Sequence, residues 1–70
     1  MKLSARNIIK CKVKEIRDGA VNAEIILSLP DGQEIVSVIT RNSASELGLK
    51  RGMAVCAIIK ASNVMIGVED

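Results

Sequence analysis

The nine residues Val21 to Leu29, VNAEIILSL, place Val21, Ala23, Ile25, Leu27 and Leu29 on one parity and Asn22, Glu24, Ile26 and Ser28 on the other. Side chains alternate across a strand with period two, so this stretch predicts a β-strand with an apolar face toward a core and a mostly polar face outward. Turn signals bracket it. Asp18-Gly19 precedes it, and Pro30-Asp31-Gly32 follows, where proline supplies a fixed φ and glycine a positive one.

Toward the N-terminus, Ile9, Cys11 and Val13 share one parity and Lys10, Lys12 and Lys14 the other, the pattern of a half-buried strand whose lysine row faces water or an anion. Ile16 then falls out of phase with Val13. An extra residue near Lys14 and Glu15 restores the phase as a β-bulge, and a bulged, strongly coiled first strand suits a small barrel. Toward the C-terminus, Gln33 to Thr40 reads as a third strand. In TRNSASELGLKRGM (40–53), Ser43 and Glu46 have capping-box spacing and Gly48 stands where a helix ends in the left-handed conformation, leaving one or two helical turns. Met53 to Lys60 is apolar on both parities and predicts a fourth strand buried on both sides. ASNVMIG (61–67) then reads as a turn and a short fifth strand. The predicted architecture is all-β: a small five-stranded OB-type Greek-key barrel with one short helix between strands 3 and 4.

The 70 residues allow a single domain, 1–70. A chain this short buries only about 60% of its unfolded surface, and its core supplies roughly 3–5 kcal/mol, so a further staple is expected. With two cysteines and no histidine, a zinc site lacks ligands. Cys11 and Cys56, each in an apolar run, read as small buried hydrophobes in a reducing cytosol. Apolar residues make up 49% of the chain, which points to oligomerisation through a subunit interface. The formal charge of +2 is mild, and the absence of Phe, Tyr and Trp removes the rings on which a single-strand binder stacks bases. No apolar run approaches the ~20 residues of a membrane span, and no signal-peptide core opens the chain, so a soluble cytoplasmic protein is expected. Catalysis is not expected either: the chain offers no histidine, no serine with a base at useful spacing and no acidic pair in a metal-like frame.

Three donor-rich segments remain. Ser4, Ala5, Arg6 and Asn7 bring a hydroxyl, a guanidinium and an amide; Thr40 and Ser43 flank the helix start, where backbone N–H groups are free; Lys60, Ala61 and Ser62 follow the fourth strand. Taken singly, each has a plain reading as exposed polar residues, a helix cap or a solvated lysine. A tetrahedral oxyanion offers only acceptors, so a site for one is built from donors and excludes carboxylates. These segments meet that requirement jointly.

LSARN (3–7), DGAVNAEI (18–25), ITRNSASELGLKRG (39–52) and AIIKASNVMIG (57–67) together resemble the molbindins, the single-domain members of the molybdate-binding Mop family, in order and over nearly the whole chain. The resemblance implies an OB-type barrel assembled as a homo-oligomer, a trimer of dimers, with molybdate or tungstate held between subunits and no cofactor. It implies storage, buffering or delivery of the oxyanion by a stand-alone domain. Ser4 and Arg6 of one subunit, with Ala5 and Asn7 in the same motif, would meet Thr40, Ser43, Lys60 and Ser62 of another, with Ala61 between the last two. Backbone N–H groups around Ala20, Val21 and Asn22 would line a second class of site nearer the assembly axis. The alternative from the residues is an OB-type module binding nucleic acid through Lys10, Lys12 and Lys14.

Overall fold

The computed structural model describes residues 1–69. It contains strands β1 (Asn7–Asp18), β2 (Asn22–Ser28), β3 (Glu34–Thr40) and β4 (Ala54–Ile59), with helix α1 (Arg41–Glu46) between β3 and β4 and a 3-10 turn at Ala61–Asn63. All pairings are antiparallel, and the order across the sheet is β3-β2-β1-β4. The curled sheet with its helix between the third and fourth strands is the expected all-β, OB-type arrangement. The fifth strand is not formed: among the described residues nothing after Ile59 joins the sheet. A strand exists only against a neighbouring ladder, and this chain pairs none of its edges with residues 64–67.

β1 is long because it serves two partners. Asn7 to Lys12 pair with β4, and Lys12 to Asp18 pair with β2, with a register shift between Val13 and Glu15. That shift is the bulge inferred from the broken parity, and it lets Val13 and Ile16 both turn toward the core. A bulge bends and twists its strand, so one strand can pass from one side of the curl to the other. Cys11 and Val13 from β1, Ala23, Ile25 and Leu27 from β2, Ala57 from β4 and Ala44 from α1 form the buried core. Val13 and Ile25 are its largest fully buried side chains, each stabilising the fold by about 1.5–3 kcal/mol.

The turns follow their residues. Gly32 has φ +91° and donates its N–H to Leu29 O at 3.0 Å, as the Pro-Asp-Gly signal requires. Gly48 has φ +65°; its N–H reaches Ser45 O at 3.0 Å and the Leu49 N–H reaches Ala44 O at 3.2 Å, which is the Schellman ending. The helix start differs from expectation. Thr40, not Ser43, is the N-cap: its Oγ1 accepts the Ser43 N–H at 3.0 Å, and its hydroxyl donates to Ser43 Oγ at 2.8 Å. Thr40 is still paired with Asn22 in the β2–β3 ladder, so the chain enters the helix straight from the strand.

Three burial expectations also change. β4 is not buried on both sides, because it is an edge strand with nothing layered over its outer face; Ala54, Cys56 and Ile58 are exposed there. Cys56 is therefore an exposed thiol, whereas Cys11 is buried as expected. Val21 lies in the turn before β2 and is 71% exposed, so it does not extend the inner row of Ala23, Ile25 and Leu27.

Candidate functional site: an oxyanion-type groove

The register Asn7↔Ile59 sets residues 4–6 and 60–62 beside each other just past the last rung of the β1–β4 ladder. Asn7 fastens that end, its Nδ2 donating to Ile59 O at 3.1 Å. The 3-10 turn then folds the next residues back, with Asn63 N–H on Lys60 O at 2.9 Å and Val64 N–H on Ala61 O at 3.3 Å. The result is an open groove of about 640 Å³ lined by Ser4, Ala5, Arg6, Ile58, Lys60, Ala61, Ser62 and Asn63.

The groove gathers Ser4, Ala5, Arg6, Lys60, Ala61 and Ser62 within one chain, although the resemblance implied that the SARN and KAS motifs come from different subunits. Asn7 does not line it; its amide is the strut described above. Asn63 and Ile58 complete the lining without having been singled out. Adjacency to Lys60-Ala61-Ser62 is the signal that finds Asn63, while Ile58 follows from the β4 parity that faces outward.

The groove is electrostatically open to an anion. Glu15 is the first carboxylate in the chain, and none occurs between Glu46 and Glu69, so both walls come from acid-free segments. Neither Arg6 nor Lys60 forms an ion pair with a described residue. Arg6 contributes a charged planar fork, Lys60 a point charge, and Ser4 and Ser62 rotatable hydroxyls, a set suited to an acceptor-only ligand.

Thr40, Ser43 and Ala20 to Asn22 gather by the β1–β2 turn, at the other end of β1. Asn22 pairs with Thr40, Arg41 N–H bonds Val21 O at 2.9 Å, and Gly19 N–H closes the β1–β2 turn on Asn22 O at 2.7 Å. β1 spans the 12 residues between Asn7 and Asp18. Neither Thr40 nor Ser43 lines the groove that holds Arg6.

Between the two ends, charges are matched. Lys14 pairs with Glu34 across β2, Arg17 donates to Glu15 Oε2 at 3.1 Å and to Glu24 Oε1 at 3.3 Å, and Arg41 Nε stands 4.0 Å from Asp18 Oδ1. The hydrogen bond from Arg17, and then its charge, hold the exposed Glu15 carboxyl below the usual glutamate range. Lys14 is thus removed from the lysine row, leaving Lys10 and Lys12 exposed on the outer face. Among the described residues, no group of three His, Cys, Asp or Glu side chains is placed to hold a metal, and no helix is long and apolar enough to cross a membrane.

Residues 3–66 match the TOBE domain family. Over 66 residues the chain is 50% identical to the molybdenum-pterin-binding protein MopA of Rhodobacter capsulatus, covering 94% of this chain and a quarter (25%) of that protein. It is 42% identical over 66 residues to molybdenum-pterin-binding protein 1 of Clostridium pasteurianum, covering 94% of this chain and 97% of that one. Its fold superposes on the cytoplasmic molybdate-binding protein ModG, solved with molybdate bound, with a TM-score of 0.93 and 54% identity, covering 99% of this chain and 49% of that one.

Proposed function

The chain belongs to the TOBE domain family, to its molbindin type, and from that membership we propose that it binds molybdate or tungstate at sites completed between copies of itself. The observation that carries this reading is the meeting of Ser4, Arg6, Lys60 and Ser62 in one acid-free groove. Arg6 and Lys60 supply the charge that balances a dianion, and the serine hydroxyls and neighbouring backbone fix its tetrahedral outline. Thr40 and Ser43 do not line this groove, and in this reading they act on the groove of a second copy. Homo-oligomerisation, as a trimer of dimers, joins the two ends, and Ala20 to Asn22, beside Thr40, form the second class of site. The protein works by binding and release rather than by catalysis, holding oxyanion in the cytoplasm for storage or buffering.

Calorimetric titration at fixed salt tests the reading. Molybdate is expected to raise the melting temperature, because a ligand that binds only the folded state adds about 2.7 kcal/mol at a hundredfold excess over Kd. A charge-assisted hydrogen bond is worth about 1.5–3 kcal/mol, so Arg6→Ala is expected to weaken binding at least tenfold, with Arg6→Lys recovering only part of the loss. Parental affinity in Arg6→Ala moves the site elsewhere. Equal shifts from equimolar sulfate reduce the recognition to charge alone.

A further inference from the structure

The groove offers more donors than acceptors, and its backbone deepens the imbalance. Ile59 O already accepts the Asn7 Nδ2 at 3.1 Å, Lys60 O accepts the Asn63 N–H at 2.9 Å, and Ala61 O accepts the Val64 N–H at 3.3 Å. Successive carbonyls on the wall that follows β4 are thus engaged by the protein itself. Among the described residues no carboxylate lines the groove, and the chain has no histidine, so no ionised or imidazole acceptor stands in it. The side-chain acceptors left are the hydroxyls of Ser4 and Ser62 and the amide of Asn63, all neutral. The cover that the proposed assembly brings has the same bias. Thr40 Oγ1 accepts the Ser43 N–H at 3.0 Å, and Ser43 Oγ accepts the Thr40 hydroxyl at 2.8 Å, which leaves the Ser43 proton to meet a ligand.

We propose that this imbalance makes the groove a sieve for protonation state: it takes tetrahedral dianions that carry no O–H and rejects those that keep one, such as hydrogen phosphate and hydrogen arsenate. The inference rests on the oxyanion reading and adds to it the property, besides size and charge, by which the ligand is told from other anions. A ligand O–H that leaves water must find a new acceptor or lose its hydrogen bond. In this groove it turns a serine hydroxyl or the Asn63 amide around to accept, and the group so turned stops donating to the anion. An ion without the proton uses all the donors at once: the Arg6 fork, the Lys60 ammonium, the hydroxyls and the Asn63 Nδ2. Losing one such bond corresponds to roughly tenfold or more in affinity. Asn63 is then a specificity residue, because it is the lining side chain that a near-isosteric change converts from donor to charged acceptor.

Selenate and hydrogen arsenate separate the proton from size and charge. They are tetrahedra of nearly equal size, and in mildly alkaline solution both are dianions, but only the arsenate keeps an O–H. Each is titrated into molybdate-loaded protein at fixed ionic strength, and displacement is read by calorimetry. Selenate is expected to displace molybdate at a concentration about tenfold or more below that of arsenate. Asn63→Asp is expected to narrow the gap, weakening molybdate and selenate while giving the arsenate proton an acceptor. Asn63 is exposed and holds the 3-10 turn through its backbone N–H, so circular dichroism should report the variant folded. Equal displacement by the two ions, or displacement by neither, would overturn the sieve and leave charge or size alone as the selector. So would an Asn63→Asp that weakens both ions by the same factor. A parent that binds molybdate through Arg6 and treats selenate and arsenate alike defeats this inference only, whereas a parent that binds no molybdate defeats the oxyanion reading as well.

Discussion

The two halves of β1 belong to one strand and carry opposite electrostatic designs. Past the bulge, Lys14 and Arg17 are matched to Glu34, Glu15 and Glu24, and Arg41 stands beside Asp18 at the strand's end. Before the bulge, Lys10 and Lys12 have no carboxylate partner among the described residues, and neither do Arg6 and Lys60 just beyond the strand's start. Exposed ion pairs contribute about 0–1 kcal/mol each, so the matched half gains register and solubility rather than much stability. The unmatched half leaves its donors uncommitted, as the proposed oxyanion, an all-acceptor ligand, requires. The arrangement of the charges, rather than the net charge of +2, is what marks the groove.

The largest expected effect comes from the core that both halves share. Ile25 is 2% exposed at the centre of β2; Ile25→Ala should cost about 2–5 kcal/mol by lost transfer energy and a residual cavity. Denaturant melting reads the loss, and titration above the new stability threshold should return the parental molybdate affinity. A tenfold weaker affinity in the folded variant would show that the groove is set by the core and not by its own strut and turn, and the separation of the two ends would fail.

How far these features could be read from sequence depends on whether one chain settles them. The bulge was legible because Val13 and Ile16 cannot both face inward without an extra residue, a constraint wholly local to β1. Gly48 was legible for the same reason, since a left-handed residue after a short helix has few candidates. The helix start was ambiguous: Ser43 with Glu46 and Thr40 with Ser43 both have cap spacing, and the β2–β3 ladder running to Thr40 decided for the earlier one. The apolar outer face of β4 and a short strand within ASNVMIG (61–67) were visible, but a strand forms only where a ladder receives it, and among the described residues none does. In the candidate site the motifs were legible and their grouping was not, because the register Asn7↔Ile59 that joins SARN to KAS is a tertiary fact.

At the other end of β1 the effect is smaller. Loss of a threonine N-cap costs about 0.5–2 kcal/mol, so Thr40→Ala should lower stability by roughly 1 kcal/mol. Ser43→Ala keeps the bond from its backbone N–H to Thr40 Oγ1 and should cost less. Urea melts of the two variants order them directly; a greater loss from Ser43→Ala would return the cap to Ser43. The same pair sharpens the contrast between the ends. If Thr40 and Ser43 serve a second copy's groove, both variants weaken molybdate binding, although only Thr40→Ala loosens the helix.

The smallest effect concerns the matched half alone. Arg17 holds the Glu15 carboxyl below its ordinary value, first through the hydrogen bond and then through its charge. A carboxyl whose folded value is depressed adds stability above its unfolded value, about 4.3 for glutamate, and that contribution fades as pH falls from there through the folded value. Arg17 stays charged throughout, because Glu15 raises it further above an already high value. The melting temperature of the parent should therefore exceed that of Arg17→Gln by a small margin near pH 7, and the gap should close as the pH drops below the usual glutamate range. Both groups are exposed, so added salt should shrink the margin at neutral pH as well. Melting curves of the two proteins from pH 7 down to strongly acid solution provide the check. A gap that persists once Glu15 is protonated would mean that Arg17 acts by packing its stem on the sheet, and the matched half would owe its order to contact rather than charge.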